Sequence, residues 1–219
     1  MLHAMTTQNQ CEKDIIIYIK NFKNTIMEVN LLQYEQKYHN YIVAGVDEAG
    51  RGSLVGPVVA SAVIIDKVDI ISGIKDSKKL SKNKRDILYE QITSNYVWST
   101  AIIEHTEIDD INILEATKKA CTIAVANLSL KPEKILVDGN MKFSDVRFIS
   151  IINGDNLSLS IAAASIIAKV TRDRLMLELS AEYPQYLWHK NYGYGTREHI
   201  EAINTHGLSS YHRKSFKFC

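Results

Sequence analysis

The sequence has few cysteines, no long apolar run and almost no net charge, and each shortage removes a class of protein. Cys11, Cys121 and Cys219 are odd in number and far apart. They make neither a disulfide framework nor a metal-ligand spacing, which favours a reducing, cytoplasmic setting. No His or Cys cluster competes for zinc. No apolar stretch approaches a membrane span, and the longest run of small apolar residues, 161–168, is broken by Ser165 and ends at Lys169. The N-terminus lacks the basic-then-apolar order of a signal peptide. A formal net charge of +1 means that any polyanion site is a local basic patch rather than a whole-protein field. Internal repeats and low-complexity segments are also missing.

What is present is an ordinary globular composition, 46% hydrophobic and 23% charged, in a chain of 219 residues. That is enough for one good-sized domain and an appendage. Residues 14–38 lack Gly and Pro. Ile15, Ile19, Phe22, Ile26 and Val29 recur at steps of four and three, which predicts a helical extension. The β-branched run 15–17 also suits a short strand. From residue 41 the pattern turns strand-like. Strands are expected over 41–47, 58–65, 97–104, 135–138 and 147–152. Helices are expected over 111–128, 160–182 and 196–204, with Pro184 and Gly207 as stops. The order implies an α/β sheet covered by helices, with a helical C-terminal part. The run 161–165 has so little bulk that another backbone can approach it.

The densest chemistry lies in Gly45-Val46-Asp47-Glu48-Ala49-Gly50-Arg51-Gly52. Asp47, Asp138 and Asp155 each fall at or just past the end of an expected strand, where α/β sheets bind ligands. With Glu48 they form a four-carboxylate set suited to Mg²⁺ or Mn²⁺. Four clustered carboxylates repel one another unless cations compensate, and two divalent ions would balance them. Such a pair of ions can activate water and stabilise the leaving oxygen of a phosphodiester. One difficulty is geometric. Neighbours on a strand point to opposite faces, so Asp47 and Glu48 share a site only if the strand ends or bulges there. An acidic pair near a turn is otherwise commonly just solvated.

Three further segments bear on a polyanion. Gly50-Arg51-Gly52 lets a backbone approach closely and offers a planar donor fork to phosphate, or is simply a tight turn. The basic run 75–85, with Lys78 and Lys79, either tracks a polynucleotide backbone or is a solvated loop entering a helix capped by Ser81. Residues 190–196 interleave Lys190, Tyr192 and Tyr194 with glycine, so that a ring can stack on a sugar or base, or merely pack. Arg213 in the tail adds another cation.

Taken together, these motifs resemble the bacterial ribonuclease HII family. The resemblance spans about 41–216 and includes Asp47 to Gly52, Gly56-Pro57-Val58-Val59-Ala60, Asp76 to Ser81, Val137-Asp138-Gly139, Gly154-Asp155, Ile161 to Asp173, Gly193 to Thr196 and His212 to Phe216. It implies a ribonuclease H-like fold, a mixed central β-sheet flanked by helices. The implied activity is two-metal-ion endonucleolytic cleavage of the RNA strand of RNA–DNA hybrids, and of DNA duplexes at embedded ribonucleotides. The ends would be 5′-phosphate and 3′-hydroxyl, and the cofactor Mn²⁺ or Mg²⁺. The family's metal acids map onto Asp47, Glu48, Asp138 and Asp155. Its ribonucleotide-reading motif maps onto Gly50, Arg51 and Gly52, and its junction-sensing tyrosine onto Tyr194. Lys78, Lys79, Lys190 and Arg213 would hold the duplex backbone.

Asp173 is a rival fourth acid, but Arg172 and Arg174 flank it as ion-pair partners, so Asp155 takes the role. The sister family, ribonuclease HIII, typically carries a sizeable N-terminal substrate-binding domain, and Arg51 argues against it. Two departures stand out. Ser53 stands where the family often has proline, and residues 1–40 exceed its usual N-terminus, which places the expected start nearer Met27. The chain is thus expected to be a monomer, with a helical extension over 1–40 and a catalytic domain over 41–219. A non-catalytic hybrid-binding module and a small-ester phosphatase are the competing classes.

Overall fold

A computed structural model describes residues 31–65 and 70–217. Most of the expected N-terminal helix lies outside these residues. Within them a short helix, α1 (Gln33–Lys37), leads into the sheet.

The sheet has five strands: β1 (Val43–Ala49), β2 (Val58–Ile64), β3 (Val97–Ile103), β4 (Lys134–Asp138) and β5 (Phe148–Ile151). Their spatial order is β3-β2-β1-β4-β5. The first three form an antiparallel meander, while β4 and β5 run parallel to β1. The sheet is therefore mixed, as expected. β1 lies at its centre, and its C-terminal end and that of β4 point the same way. Every residue of β2 is buried, which suits its β-branched, small-residue sequence in a strand covered on both faces.

Helices cover both faces. On one side α4 (Ile113–Ala126) packs Ala116, Ala120, Cys121 and Ala124 against Ala44, Val46, Ala60 and Ala62. On the other side lies the long helix α5 (Leu159–Glu182), whose small residues Ala162, Ala163 and Ala164 are wholly buried. There the expected close approach occurs. A Cβ on Gly45 would stand 2.1 Å from the Ser160 carbonyl carbon, so the helix start lies directly on the β1 backbone. α2 (Lys82–Asn95) buries Leu88 and Ile92 beside α5. Leu31 joins the same cluster, and Tyr34 and Tyr38 pack beside Leu136 and Ile151.

The structure departs from the sequence reading in a few elements. Residues 111–128 do not make one helix. They divide between α3 (His105–Ile111) and α4, because Asn112 takes a φ of 68° and caps α4 by accepting from the Leu114 and Glu115 amides. The basic run enters α2, in line with the alternative that reads it as a loop leading into a helix, and Ser81 caps that helix by accepting from the Lys84 amide. At the C-terminus, α6 (Trp188–Asn191) and α7 (Arg197–His206) enclose an aromatic cluster in which Tyr186 stacks on Trp188 at 5.2 Å. No helix among the described residues is long and apolar enough to cross a membrane.

Candidate active site

β1 does not end at Asp47. It runs on through Ala49 in unbroken register, with Asp47 opposite Ser61 and Glu48 opposite Ala60. The expected break or bulge is absent, and the two side chains leave opposite faces of the strand. Both residues nevertheless line one cavity of about 560 Å³. The cavity is lined by Asp47, Glu48, Gly50, Arg51, Gly52, Lys78, Asp138 and Tyr194, together with Ser77, Ser165 and Lys169.

The acids raise one another's proton affinity. Burial lifts the Asp47 carboxyl well above its ordinary range, and the charges of Glu48 and Asp138 add to this. Burial also raises Glu48, against the opposing pull of Arg51. Asp155 sits in a one-turn helix just after β5, and burial followed by the charges of Asp76 and Asp138 raises it. Lys78 stands among these acids. Burial works against its charge, but Asp47, Asp76, Asp155 and Asp138 outweigh it and raise its pKa. Asp138 accepts a 2.7 Å hydrogen bond from the Gly154 amide, which ties the ends of β4 and β5 together.

Among the described residues, no group of three or more His, Cys, Asp and Glu side chains forms a ready-made cation cluster. The donor set nevertheless fits a divalent ion. Glu48 Oε2 is buried without a hydrogen-bond partner, while Oε1 accepts from Arg51 at 3.2 Å. A buried, unpartnered carboxylate oxygen beside two further acids calls for a cation.

The loop after β1 is held from behind by two buried arginines. Arg172 donates to the carbonyls of Val55, Pro57 and Tyr192. Arg213 donates to those of Arg51, Gly56 and Pro57. Both are 0% exposed, and burial lowers the Arg213 pKa to about 9. This corrects the expectation that Arg213 holds the duplex backbone: its guanidinium is turned inward. Gly50 has a φ of +96°, and a Cβ there would meet Arg172 Nε at 2.1 Å, so this position requires glycine. Gly52 has nothing within 4 Å of its would-be Cβ and faces open space.

Other expected residues fall elsewhere. Lys190 lines a separate hollow with Leu187, Thr196 and Glu198. Lys79 is exposed and donates to Asn156 beside Asp155. Asp173 is paired with Lys169 at 2.7 Å, while Arg174 pairs with Glu90 and Arg172 with carbonyls, so the expected partners of Asp173 are corrected. The sequence reading missed Ser77, Ser165 and Lys169 as cavity residues. Lys169 lies 5.7 Å from the Tyr194 ring centre and Arg172 lies 5.4 Å from it. The only signal for Lys169 was its position closing the small-residue run.

Comparison with known proteins gives the family and the fold. The sequence model of the family described as Ribonuclease HII matches residues 44–219. A ribonuclease HII from Rickettsia prowazekii (strain Madrid E) is 93% identical over 193 residues, which is 88% of this chain and 100% of that protein. One from Rickettsia conorii (strain ATCC VR-613 / Malish 7) is 81% identical over the same shares. The crystal structure of the ribonuclease H2 from Pyrococcus horikoshii OT3 superposes with a TM-score of 0.68 at 29% identity, covering 80% of this chain and 94% of that one. An acid-lined cavity at the tip of a mixed sheet, in a chain matched over most of its length, leaves one assignment: the chain belongs to the ribonuclease HII family and is a hydrolase, an endoribonuclease of the ribonuclease H class.

Proposed function

We propose that the chain, acting as a monomer in the cytoplasm, cuts the RNA strand of RNA–DNA hybrids and also cuts duplex DNA at embedded ribonucleotides. The products would carry 5′-phosphate and 3′-hydroxyl ends. The observation that carries this reading is the shared cavity, which gathers three acids, a glycine-flanked arginine, Lys78 and Tyr194.

Asp47, Glu48 and Asp138 would hold Mn²⁺ or Mg²⁺ there, with Asp155 completing the set from the adjoining turn. Bound divalent ions supply an activated water and charge stabilisation at the phosphate. The protein groups do the remaining work. Lys78, kept charged by the acids, would meet a nonbridging phosphate oxygen. Arg51, half exposed at the rim, would reach the 2′-hydroxyl or its phosphate, and the open space at Gly52 admits the sugar-phosphate backbone. The Tyr194 ring would pack on the neighbouring deoxyribose at a ribonucleotide–deoxyribonucleotide junction. Lys79 and Lys190, both exposed, would hold more distant phosphates and make affinity fall with salt.

The test is cleavage of a duplex containing one ribonucleotide, beside the all-DNA duplex and a long hybrid, with Mn²⁺ or Mg²⁺ and then with chelator. Cutting only the ribose-containing substrates, only with the ion, supports the reading. An Asp138→Asn variant that cleaves as well as its parent overturns the site assignment.

A further inference from the structure

The buried aromatic cluster behind the tyrosine loop contains a hydrogen-bond chain that the reading above does not use. His199, the third residue of α7, is fully buried, as is Trp188 at the start of α6. Trp188 Nε1 lies 3.0 Å from His199 Nε2, and His199 Nδ1 lies 2.9 Å from the Tyr194 carbonyl oxygen. The chemistry fixes every proton. An indole nitrogen only donates, so Nε2 accepts. A carbonyl oxygen only accepts, so Nδ1 carries the hydrogen. His199 is therefore a neutral imidazole of one tautomer, with both nitrogens engaged.

This chain ends on a backbone that needs support. Tyr192 and Gly193 both have positive φ, 51° and 80°. Consecutive left-handed residues persist only where the surroundings over-determine them. The Tyr194 carbonyl receives a second donor, the Thr196 amide at 2.8 Å, while Thr196 caps α7 by accepting from the His199 amide. The Leu54 amide donates to Gly193, and Ser53 bridges to Tyr194, so the same loop is joined to the Gly50–Gly52 segment.

We propose that His199 is a positioning residue for Tyr194: by holding the Tyr194 carbonyl in the tautomer imposed by Trp188, it sets the ring's place in the cavity and hence the preference for a ribonucleotide–deoxyribonucleotide junction. This rests on the role given to Tyr194 above. His199 touches no substrate, and its effect passes through the loop.

Two amide substitutions separate positioning from mere stability. In His199→Asn the amide nitrogen falls near the place of Nδ1, which keeps the Tyr194 bond and orphans the Trp188 N–H. In His199→Gln the amide reaches the place of Nε2, which keeps the Trp188 bond and releases Tyr194. The readout is the ratio of kcat/KM on a single-ribonucleotide duplex to that on a uniform hybrid of equal length, beside the melting temperature. Positioning predicts that Gln lowers the ratio about three- to tenfold, the worth of one hydrogen bond. Asn should keep the ratio within about twofold even though it melts lower, because a buried donor is left unpaired. Adding Tyr194→Ala to His199→Gln should lower the ratio no further than Tyr194→Ala alone. A ratio that follows melting temperature in both variants, or is unchanged in Gln, overturns the proposal. If Tyr194→Ala alone leaves the ratio unchanged, the reading of Tyr194 falls and this inference falls with it. Should the Asn variant not fold, the cycle decides: non-additivity supports the proposal and additivity overturns it.

Discussion

At the scale of single residues, the site sets its chemistry against the stability of the fold. Asp47 is 9% exposed, and burial and two neighbouring acids push its proton affinity up. A carboxylate in that position destabilises the ion-free protein. Asp47→Asn removes the charge and keeps the shape. It is expected to raise the melting temperature without added ions while cutting cleavage by at least about 100-fold, the scale of losing a group that organises a metal site. Thermal denaturation in chelator, beside a cleavage assay, checks both halves. A variant that melts lower would show that the negative charge contributes more by strengthening the hydrogen bond from the Glu48 amide, which an asparagine oxygen keeps only in its weaker neutral form, than it costs by repulsion. The gathering of Asp47, Glu48 and Asp138 was foreshadowed by carboxylates near strand ends, which are local signals, although β1 runs two residues past Asp47. Arg213 was misread because its three carbonyl partners lie 156 to 162 residues away. Nothing local separates a tail arginine that meets phosphate from one that closes a loop.

At the scale of elements, the critical contact is the crossing of α5 over β1. Ser158 caps the helix, Glu35 accepts from both Ser158 and Ser160, and the turn bearing Asp155 lies immediately before them. The two glycines that bracket the acids answer opposite needs. Gly45→Ala would drive a methyl into the Ser160–Ile161 backbone, which cannot yield as a side-chain tip can. The expected cost is about 3 kcal/mol or more, read from the urea midpoint. Gly52→Ala meets nothing in the protein. It should leave the midpoint within about 0.5 kcal/mol of the parent, since substitutions away from packed contacts cost little, yet lower kcat/KM by intruding on the approaching substrate. Equal midpoints for the two variants would contradict the packing assigned to Gly45. The small-residue run announced this crossing, whereas the Asn112 break in the helical pattern did not show. A single left-handed residue leaves hydrophobic periodicity almost unchanged. The boundary drawn at residue 40 followed a change of composition, but Leu31, Tyr34 and Tyr38 pack across it into the domain's own clusters.

At the scale of the whole molecule, two groups of titrating residues pull stability in opposite directions with pH. A helix-covered α/β sheet was foreseeable from the strand and helix signals, whereas its mixed character was implied only by the family resemblance. Its strand order, and the enclosure of His199 and His212 at the C-terminal end, depend on long-range packing that no local pattern encodes. Asp47, Glu48 and Asp155 have raised folded pKa values. The folded state then binds more protons than the unfolded one, so their contribution is full below about pH 4 and is lost as pH rises through the folded values. His212 behaves oppositely. Its ring is fully buried, and burial followed by the neighbouring His199 lowers its pKa to about 4. Its contribution is present above about pH 6.5 and is lost as pH falls toward 4. Near pH 8 the cost of the acid cluster is therefore at its greatest and protons compete least for its oxygens. Mn²⁺ should raise the melting temperature more at pH 8 than at pH 5.5, and Asp47→Asn should flatten that difference. Melting curves at the two pH values, with the ion and with chelator, test this without any substrate. A larger rise at the lower pH would place the ion's stabilising contacts elsewhere than on these carboxylates.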